Sequence, residues 1–327
     1  MSFLKIRSTS PYRKKSRSQP LRIENPKYGS FVTARAINSQ LWFVNNRPLE
    51  IFMLGYLAKY REKYDSKLYA FVMQGNHYHH VSRFPGCNRA NFQRDLGSRF
   101  TDAVKRYVPE FPGGPLFERR YSAEALLYSE DIEEQFFYAA LQPVHSGLCE
   151  FIEDYPGYNS FHDAIWGRER TVQVFRQAEY NERKRYNRNL KRKDFIDEHT
   201  LRYDRLPGYE HMTQREYAES MLTKFEVRRQ VLVAEWKAKG HVFPTRKQLE
   251  RTVPGARPKK TKKSNRDSKR PIALSKRLST LREYREEYFP ILAAYKVASE
   301  RYLRGERDVV FPPGTYRPPG PFTPYPC

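Results

Sequence analysis

The sequence predicts an α+β fold, an antiparallel sheet with helices packed against it. Three observations carry that expectation. Short runs rich in β-branched and aromatic residues alternate with longer segments of helical period, two of the short runs meet at a Gly-Asn turn, and no segment repeats. With 327 residues the chain is long enough for two domains, or for one domain with a large appendage.

Taken in order, residues 1–28 are rich in Ser, Pro, Lys and Arg and read as a basic flexible arm. FVTARAINSQLWF, from Phe31, has strand composition, and RPLEIFMLGYLAKYREKY repeats apolar positions at helical spacing. LYAFVMQ and HYHHVSRF follow as adjacent strands joined by the tight Gly75-Asn76 turn. RANFQRDLGSRFTDAVKRYV predicts a second helix, closed by Pro109, and the alternation in LFERRYSAEALL predicts a further strand. Ser129 is the expected N-cap of the helix EDIEEQFFYAALQ, which has acidic residues in its first turn and Pro143 just past its end. The predicted order over residues 29–165 is strand, helix, strand, strand, helix, strand, helix.

Beyond Trp166 the texture turns long, polar and helical, as in RTVQVFRQAEYNERKRYNRNLKRKDF and REYAESMLTKFEVRRQVLVAEWKAK. A flexible linker is expected near 254–272, where RPKKTKKSNRDSKR holds eight basic residues and one acidic residue without apolar period. A last helical stretch, SKRLSTLREYREEYFPILAAYKVASERYL, precedes a Pro-rich tail that must be extended. Residues 166–327 thus read as a basic, mostly helical extension.

Sixty Lys and Arg oppose 37 Asp and Glu, for a net charge of +23, and such an excess predicts attraction to a polyanion, by default a nucleic acid. The excess is uneven: 22 basic and 17 acidic residues precede Trp166, and 38 and 20 follow. Aromatic residues make up 15% of the chain, a composition suited to stacking on unpaired bases. Three widely spaced cysteines, Cys87, Cys149 and Cys327, argue against a disulfide framework and against a cysteine zinc site, and fit a reducing setting. Without a signal peptide or an apolar run near membrane-spanning length, the expectation is a soluble cytoplasmic protein without a membrane partner.

On a strand, HYHHV projects His77 and His79 from one face and Tyr78 and His80 from the other. Neutral imidazole is a ligand for divalent transition metals and accepts magnesium or manganese when oxygen donors complete the shell. The pair needs a third ligand. On the helix EDIEEQFFYAALQ, Glu134, Tyr138 and Gln142 stand four apart on a side away from the apolar stripe, so Tyr138 and Gln142 point together. Read by spacing alone, Tyr138 is an amphipathic rim residue and Gln142 a solvated helix end.

Strand-ending Asn76, His77, Tyr78 and His79, followed some sixty positions later by helical Tyr138 to Gln142, resemble the single-tyrosine HUH transposases. The nearer resemblance is to the REP-associated tyrosine transposases. Their stretch of the type YIHLNPVRAGL, with a Tyr-Pro segment after it, is similar to YAALQPVHSGL and EDYPGYNSFHDA here. The resemblance covers about Phe31 to Ala164. Gly75 stands where proline is common, Tyr78 replaces a small aliphatic residue, and Gln142 replaces an asparagine, although glutamine occurs there in related insertion-sequence transposases.

What the resemblance implies is a ferredoxin-like or RRM-like sheet in which His77, His79 and Gln142 bind Mg²⁺ or Mn²⁺ and Tyr138 is the nucleophile. It further implies cleavage and rejoining of single-stranded DNA beside hairpin-bearing, REP-like sites through a covalent 5′-phosphotyrosine, in a bacterial cytoplasm or nucleoid. Homodimer and monomer both occur among such proteins. Arg83, Arg99, Arg119 and Arg120 are the expected contacts to the DNA backbone, His80 is expected to pack, and Tyr121 is the rival nucleophile. Two other function classes stay open: a domesticated, non-catalytic nucleic-acid-binding protein, and a metal hydrolase using His77, His79 and His80 with an activated water.

Overall fold

A computed structural model describes residues 20–187, 189–258 and 271–320. Its centre is a βαββαβ unit: β1 (Gly29–Arg35), α1 (Arg47–Lys63), β2 (Lys67–Gln74), β3 (His77–Arg83), α2 (Arg89–Tyr107) and β4 (Ser122–Leu126). The strands pair in the order β2-β3-β1-β4, all antiparallel, and β7 (Ala273–Leu274) adds a parallel edge beside β4. This is the predicted α+β sheet. Strand β1 ends sooner than the sequence suggests because Asn38 and Ser39 adopt left-handed conformations, φ 55° and 56°, and turn the chain away after Ala36. Strand β4 is also shorter: Leu116 to Tyr121 pairs as an isolated bridge, between Phe117 and Ala36 just past β1, with the Glu118 N–H donating to the Arg35 carbonyl at 3.3 Å.

The β2–β3 hairpin turns at Gly75 and Asn76, so that Gln74 lies opposite His77. A Cβ at Gly75 would come within 2.8 Å of both Leu41 and Val44, so the loop after β1 packs where a larger residue would clash. Helices α1 and α2 lie side by side, and α2 covers the sheet face of Tyr78 and His80. The Tyr78 hydroxyl donates to Gln93 Oε1 at 3.0 Å, and the Phe92 ring lies 5.8 Å from His80. The opposite face carries His77 and His79 and is covered by α3 (Ser129–Ala140), with the short α4 (Gln142–His145) following. Ser129 is the first helical residue of α3 and not its N-cap. Tyr128 takes that place, its backbone N–H donating to the Asp131 carboxylate at 3.2 Å.

After Trp166 the chain continues to pack on the sheet's core: Tyr217, Met221, Phe225 and Val233 of α7 (Gln214–Ala238) belong to the same apolar core. Phe225 stacks on Phe161 of α5 (Phe161–Trp166) with centroids 4.1 Å apart, and Trp236 Nε1 donates to the Val144 carbonyl at 2.9 Å. Thr213 and Glu216 cap α7 reciprocally. Residues expected to continue as helix from Arg170 form instead a two-stranded antiparallel sheet, β5 (Arg170–Phe175) and β6 (Ile196–Leu201), with α6 (Gln177–Lys184) between them. Along β5 the half-buried Val172 and buried Val174 alternate with the exposed Thr171 and Gln173. The sheet docks on α1, where Glu62 accepts from the Thr200 backbone at 3.0 Å and pairs with His199 at 2.6 Å.

The basic extension grips α3 from outside: Lys224 pairs with Glu133 at 2.9 Å, Lys276 with Glu134 at 2.7 Å and Arg277 with Glu130 at 3.0 Å. After α8 (Arg246–Glu250), Gly255 and Ala256 exchange backbone hydrogen bonds with Leu41. The rest of the expected linker, 259–270, lies outside the described residues, as does the expected arm up to residue 19. Residues 20–28 are packed, with the Leu21 carbonyl accepting from Tyr288 of α9 (Leu278–Leu303) at 3.2 Å. The described part of the tail, to Gly320, has no helix, and its Gly314 carbonyl accepts from Glu24 at 2.8 Å. No described helix is long and apolar enough to cross a membrane.

Candidate active site

The antiparallel register of β1 and β3 sets Thr33 opposite His79 and Arg35 opposite His77, on the face that α3 covers. The two imidazole rings stand 4.8 Å apart and perpendicular, at 89°. Asn76 fixes the tautomer of His77. Its Nδ2 donates to the Ser39 carbonyl at 2.8 Å, which leaves Oδ1 as acceptor for His77 Nδ1 at 2.6 Å. The proton therefore sits on Nδ1, and the Nε2 lone pair of His77 is available to a ligand. His79 Nδ1 is 2.8 Å from Thr33 Oγ1, and its Nε2 is buried with no hydrogen-bond partner.

Burial lowers the pKa of both rings. That of His77 falls well below its ordinary value through desolvation, then through His79 and Arg35, and that of His79 is pushed down to about 3 by desolvation and Arg35. Both are neutral at physiological pH, the protonation state in which imidazole binds metals.

Tyr138 comes from the last turn of α3 and is 41% exposed, so its phenol lies at a rim that a strand can reach. Its ring meets His79 edge-on, centroids 6.4 Å apart, and meets Phe31 at 5.6 Å and His145 at 5.1 Å. Gln142 opens α4 one helical turn later. It is buried and not a solvated helix end, and its Nε2 has no hydrogen-bond partner. Since the two ends of a carboxamide exchange by a half-turn, the same pocket admits Oε1 as a donor atom.

Imidazole nitrogens and a carboxamide oxygen are donor types that suit a divalent cation and leave positions for phosphate oxygens. The unmet Nε2 of His79 and the unmet amide of Gln142 are what a metal site would leave in the protein alone. Among the described residues no group of three from His, Cys, Asp and Glu gathers to hold a metal, so the glutamine is necessary to a three-ligand set.

His80 faces away from this site. It is fully buried, with Nδ1 2.9 Å from Ser82 Oγ and Nε2 bonded to the Gln93 amide, and the hydrolase arrangement joining it to His77 and His79 has no geometric basis. None of the four expected arginines stands beside the histidines. Arg83 is at the far end of β3, about 20 Å along the strand from His77, and donates to the Pro26 carbonyl at 2.8 Å. Arg99 pairs with Asp102 at 3.1 Å on α2, which covers the other sheet face. Arg119 and Arg120 line a cavity on that other face, as does Tyr121, whose ring carries the Arg22 guanidinium at 4.2 Å. The residues that do surround the site and were missed are Phe31, Arg35 and His145. Strand alternation places the first two beside His79 and His77, and the seven-residue step from Tyr138 to His145 returns to the same helical face.

No family model and no curated protein matches the chain. Among solved structures, it is similar to a REP-associated tyrosine transposase bound to a REP hairpin. That match has 20% identity, covers 47% of this chain and 84% of that one, and has a TM-score of 0.37. It is also similar to tRNA(His) guanylyltransferase from Saccharomyces cerevisiae, with 11% identity, 40% and 64% coverage, and a TM-score of 0.31. Likeness of this size fixes no reaction, and the chemistry has to come from the side chains.

Proposed function

We propose that the chain is a metal-dependent nuclease and strand transferase on single-stranded DNA, acting beside hairpins, with Tyr138 as nucleophile. The observation that supports this reading is the edge contact between the exposed Tyr138 ring and His79, itself paired with His77. A free tyrosine hydroxyl, with pKa near 10, is a weak nucleophile at neutral pH and needs its target phosphate held and polarised. His77, His79 and Gln142 would hold Mg²⁺ or Mn²⁺, which supplies Lewis-acid polarisation of a non-bridging phosphate oxygen.

The Tyr138 oxygen forms a bond to phosphorus, the phenolic proton leaves to water at the exposed rim, and the bond to the 3′-oxygen breaks as that oxygen takes a proton from water. The products are a 5′-phosphotyrosine and a 3′-hydroxyl. Because the phosphotyrosyl ester keeps the energy of the broken phosphodiester, a second 3′-hydroxyl attacks it and rejoins strands without ATP. Phe31, stacked on His79 at 5.2 Å and edge-on to Tyr138, holds the two groups in register. The net charge of +23 supports a DNA partner and implies affinity that falls steeply with salt.

The test is a nicking assay on a labelled single strand containing a hairpin. Cutting that requires Mg²⁺ or Mn²⁺, and that Tyr138→Phe abolishes while binding persists, supports the reading. Binding without cutting under any metal leaves a non-catalytic nucleic-acid-binding protein.

A further inference from the structure

On the sheet face away from the histidines lies a cavity of about 700 Å³, bounded by α2, the 117–121 loop, α9 and the tail. Its size falls in the range, about 300–1,000 Å³, of small-molecule sites. Its floor is Tyr78 and Ala34, paired across β3 and β1, so the sheet separates it from Tyr138 and the metal ligands.

The lining combines two chemistries. Phe117, Tyr121, Tyr295 and Tyr316 supply flat apolar surface. Arg22, Arg120, Lys296 and Arg317 supply cations, with Arg94 and Arg119 beside them already pairing with Asp95 and Glu118. Among the described residues that line it, the single carboxylate is Glu24, which is buried and accepts from the Ala90 backbone at 2.6 Å. Arg22 lies over the Tyr121 ring, and its Nη2 is buried with no hydrogen-bond partner. Burial disfavours the charge of its guanidinium first of all, Tyr121 offsets part of that through a hydrogen bond, and the like charges of Arg120 and Arg89 add to the penalty, which an anion would relieve. A guanidinium nitrogen left without a partner beside several aromatic rings fits a ligand that is anionic at one end and flat at the other.

We propose that this cavity is a nucleotide site, taking one nucleoside phosphate with its base against the aromatic rings and its phosphate on Arg22 and Arg120. The ligand is a free nucleotide or an unpaired nucleotide of a single strand. The site shares no residue with the strand-cutting site, so either assignment can fail without the other.

Titration calorimetry of the full chain, with 5′-dAMP, 5′-dTMP, deoxyadenosine, inorganic phosphate and a short oligothymidylate, tests it. Saturable binding of the monophosphates is expected, at least tenfold tighter than deoxyadenosine or phosphate. Arg22→Gln and Tyr295→Ala should each weaken it about tenfold. Arg120→Gln, at an exposed position that folding does not need, should do the same. Oligonucleotide binding that is tenfold tighter than that of the monophosphates and is weakened alike by Arg22→Gln and Tyr295→Ala assigns the site to a strand, and oligonucleotide binding that neither variant changes assigns it to a free nucleotide. Absence of saturable nucleotide binding, phosphate binding as tight as dAMP, or affinity unchanged in all three variants overturns the proposal.

Discussion

The Tyr138 ring stands edge-on to the His79 imidazole, centroids 6.4 Å apart and planes at 77°. Phe31 lies flat on that imidazole, 7° from parallel, and edge-on to the tyrosine. Three elements distant in sequence, β1, β3 and α3, therefore meet in one aromatic cluster, with Tyr138 outermost and the two imidazoles buried beneath. The arrangement keeps bulk water off the imidazoles and leaves the phenol open to a strand.

The donor set predicts saturable Mn²⁺ binding by calorimetry. His77→Ala and His79→Ala should abolish it, and Gln142→Ala should weaken it. Thr33→Val, which removes the oxygen beside His79 Nδ1, should cost about ten- to hundredfold in affinity while leaving the ligands in place. Equal Mn²⁺ affinity in wild type and His79→Ala would remove the metal from the account.

Burial of His80 makes stability depend on pH. Its folded pKa is pushed down to about 3, by desolvation first and then by Arg89 and His79, against an ordinary 6.5. The unfolded chain binds its proton near 6.5 and the folded chain does not, so the contribution is complete above about 6.5 and is lost as pH falls toward 3. The slope is on the order of 1 kcal/mol per pH unit for each such histidine. Urea unfolding in EDTA between pH 7 and 5 should show this loss, less steeply in His80→Asn. Identical slopes would place the proton uptake elsewhere.

The shared core predicts that α7 is needed for folding. Phe225→Ala removes the ring stacked on Phe161 and should destabilise by about 3–5 kcal/mol, read as a shift of the urea midpoint. A chain ending at residue 165 loses Tyr217, Met221 and Phe225 from the same core and should not unfold cooperatively. A sharp, native-like transition in that truncation would restore an independent front domain.

Much of this was legible in residue order. Period-two alternation placed His77 and His79 on one face, and the Gly75-Asn76 turn set the hairpin that brings them to the sheet's centre. Helical period likewise found α1, α2, α7 and α9. What escaped depended on contacts that sequence does not carry. RTVQVF was read as helix because the charged run after it has helical composition, yet its strand is stabilised by IDEHTL more than twenty residues on and by docking on α1. Composition marked residues 166–327 as a basic, mostly helical extension but did not show that its cations pair with Glu130, Glu133 and Glu134 on α3. Arg119 and Arg120 were expected at the DNA backbone by their charge alone, and nothing in the order of residues says that their loop lies on the sheet face opposite the histidines.

The most direct measurement is the mass of the protein after incubation with hairpin-bearing single-stranded DNA and Mn²⁺, followed by peptide mapping of any adduct. The account predicts a chain heavier by one 5′-phosphorylated DNA fragment, the added mass on the peptide that contains Tyr138, and no adduct in Tyr138→Phe. Cut DNA with unmodified protein, or an adduct on Tyr121 in its place, would contradict it.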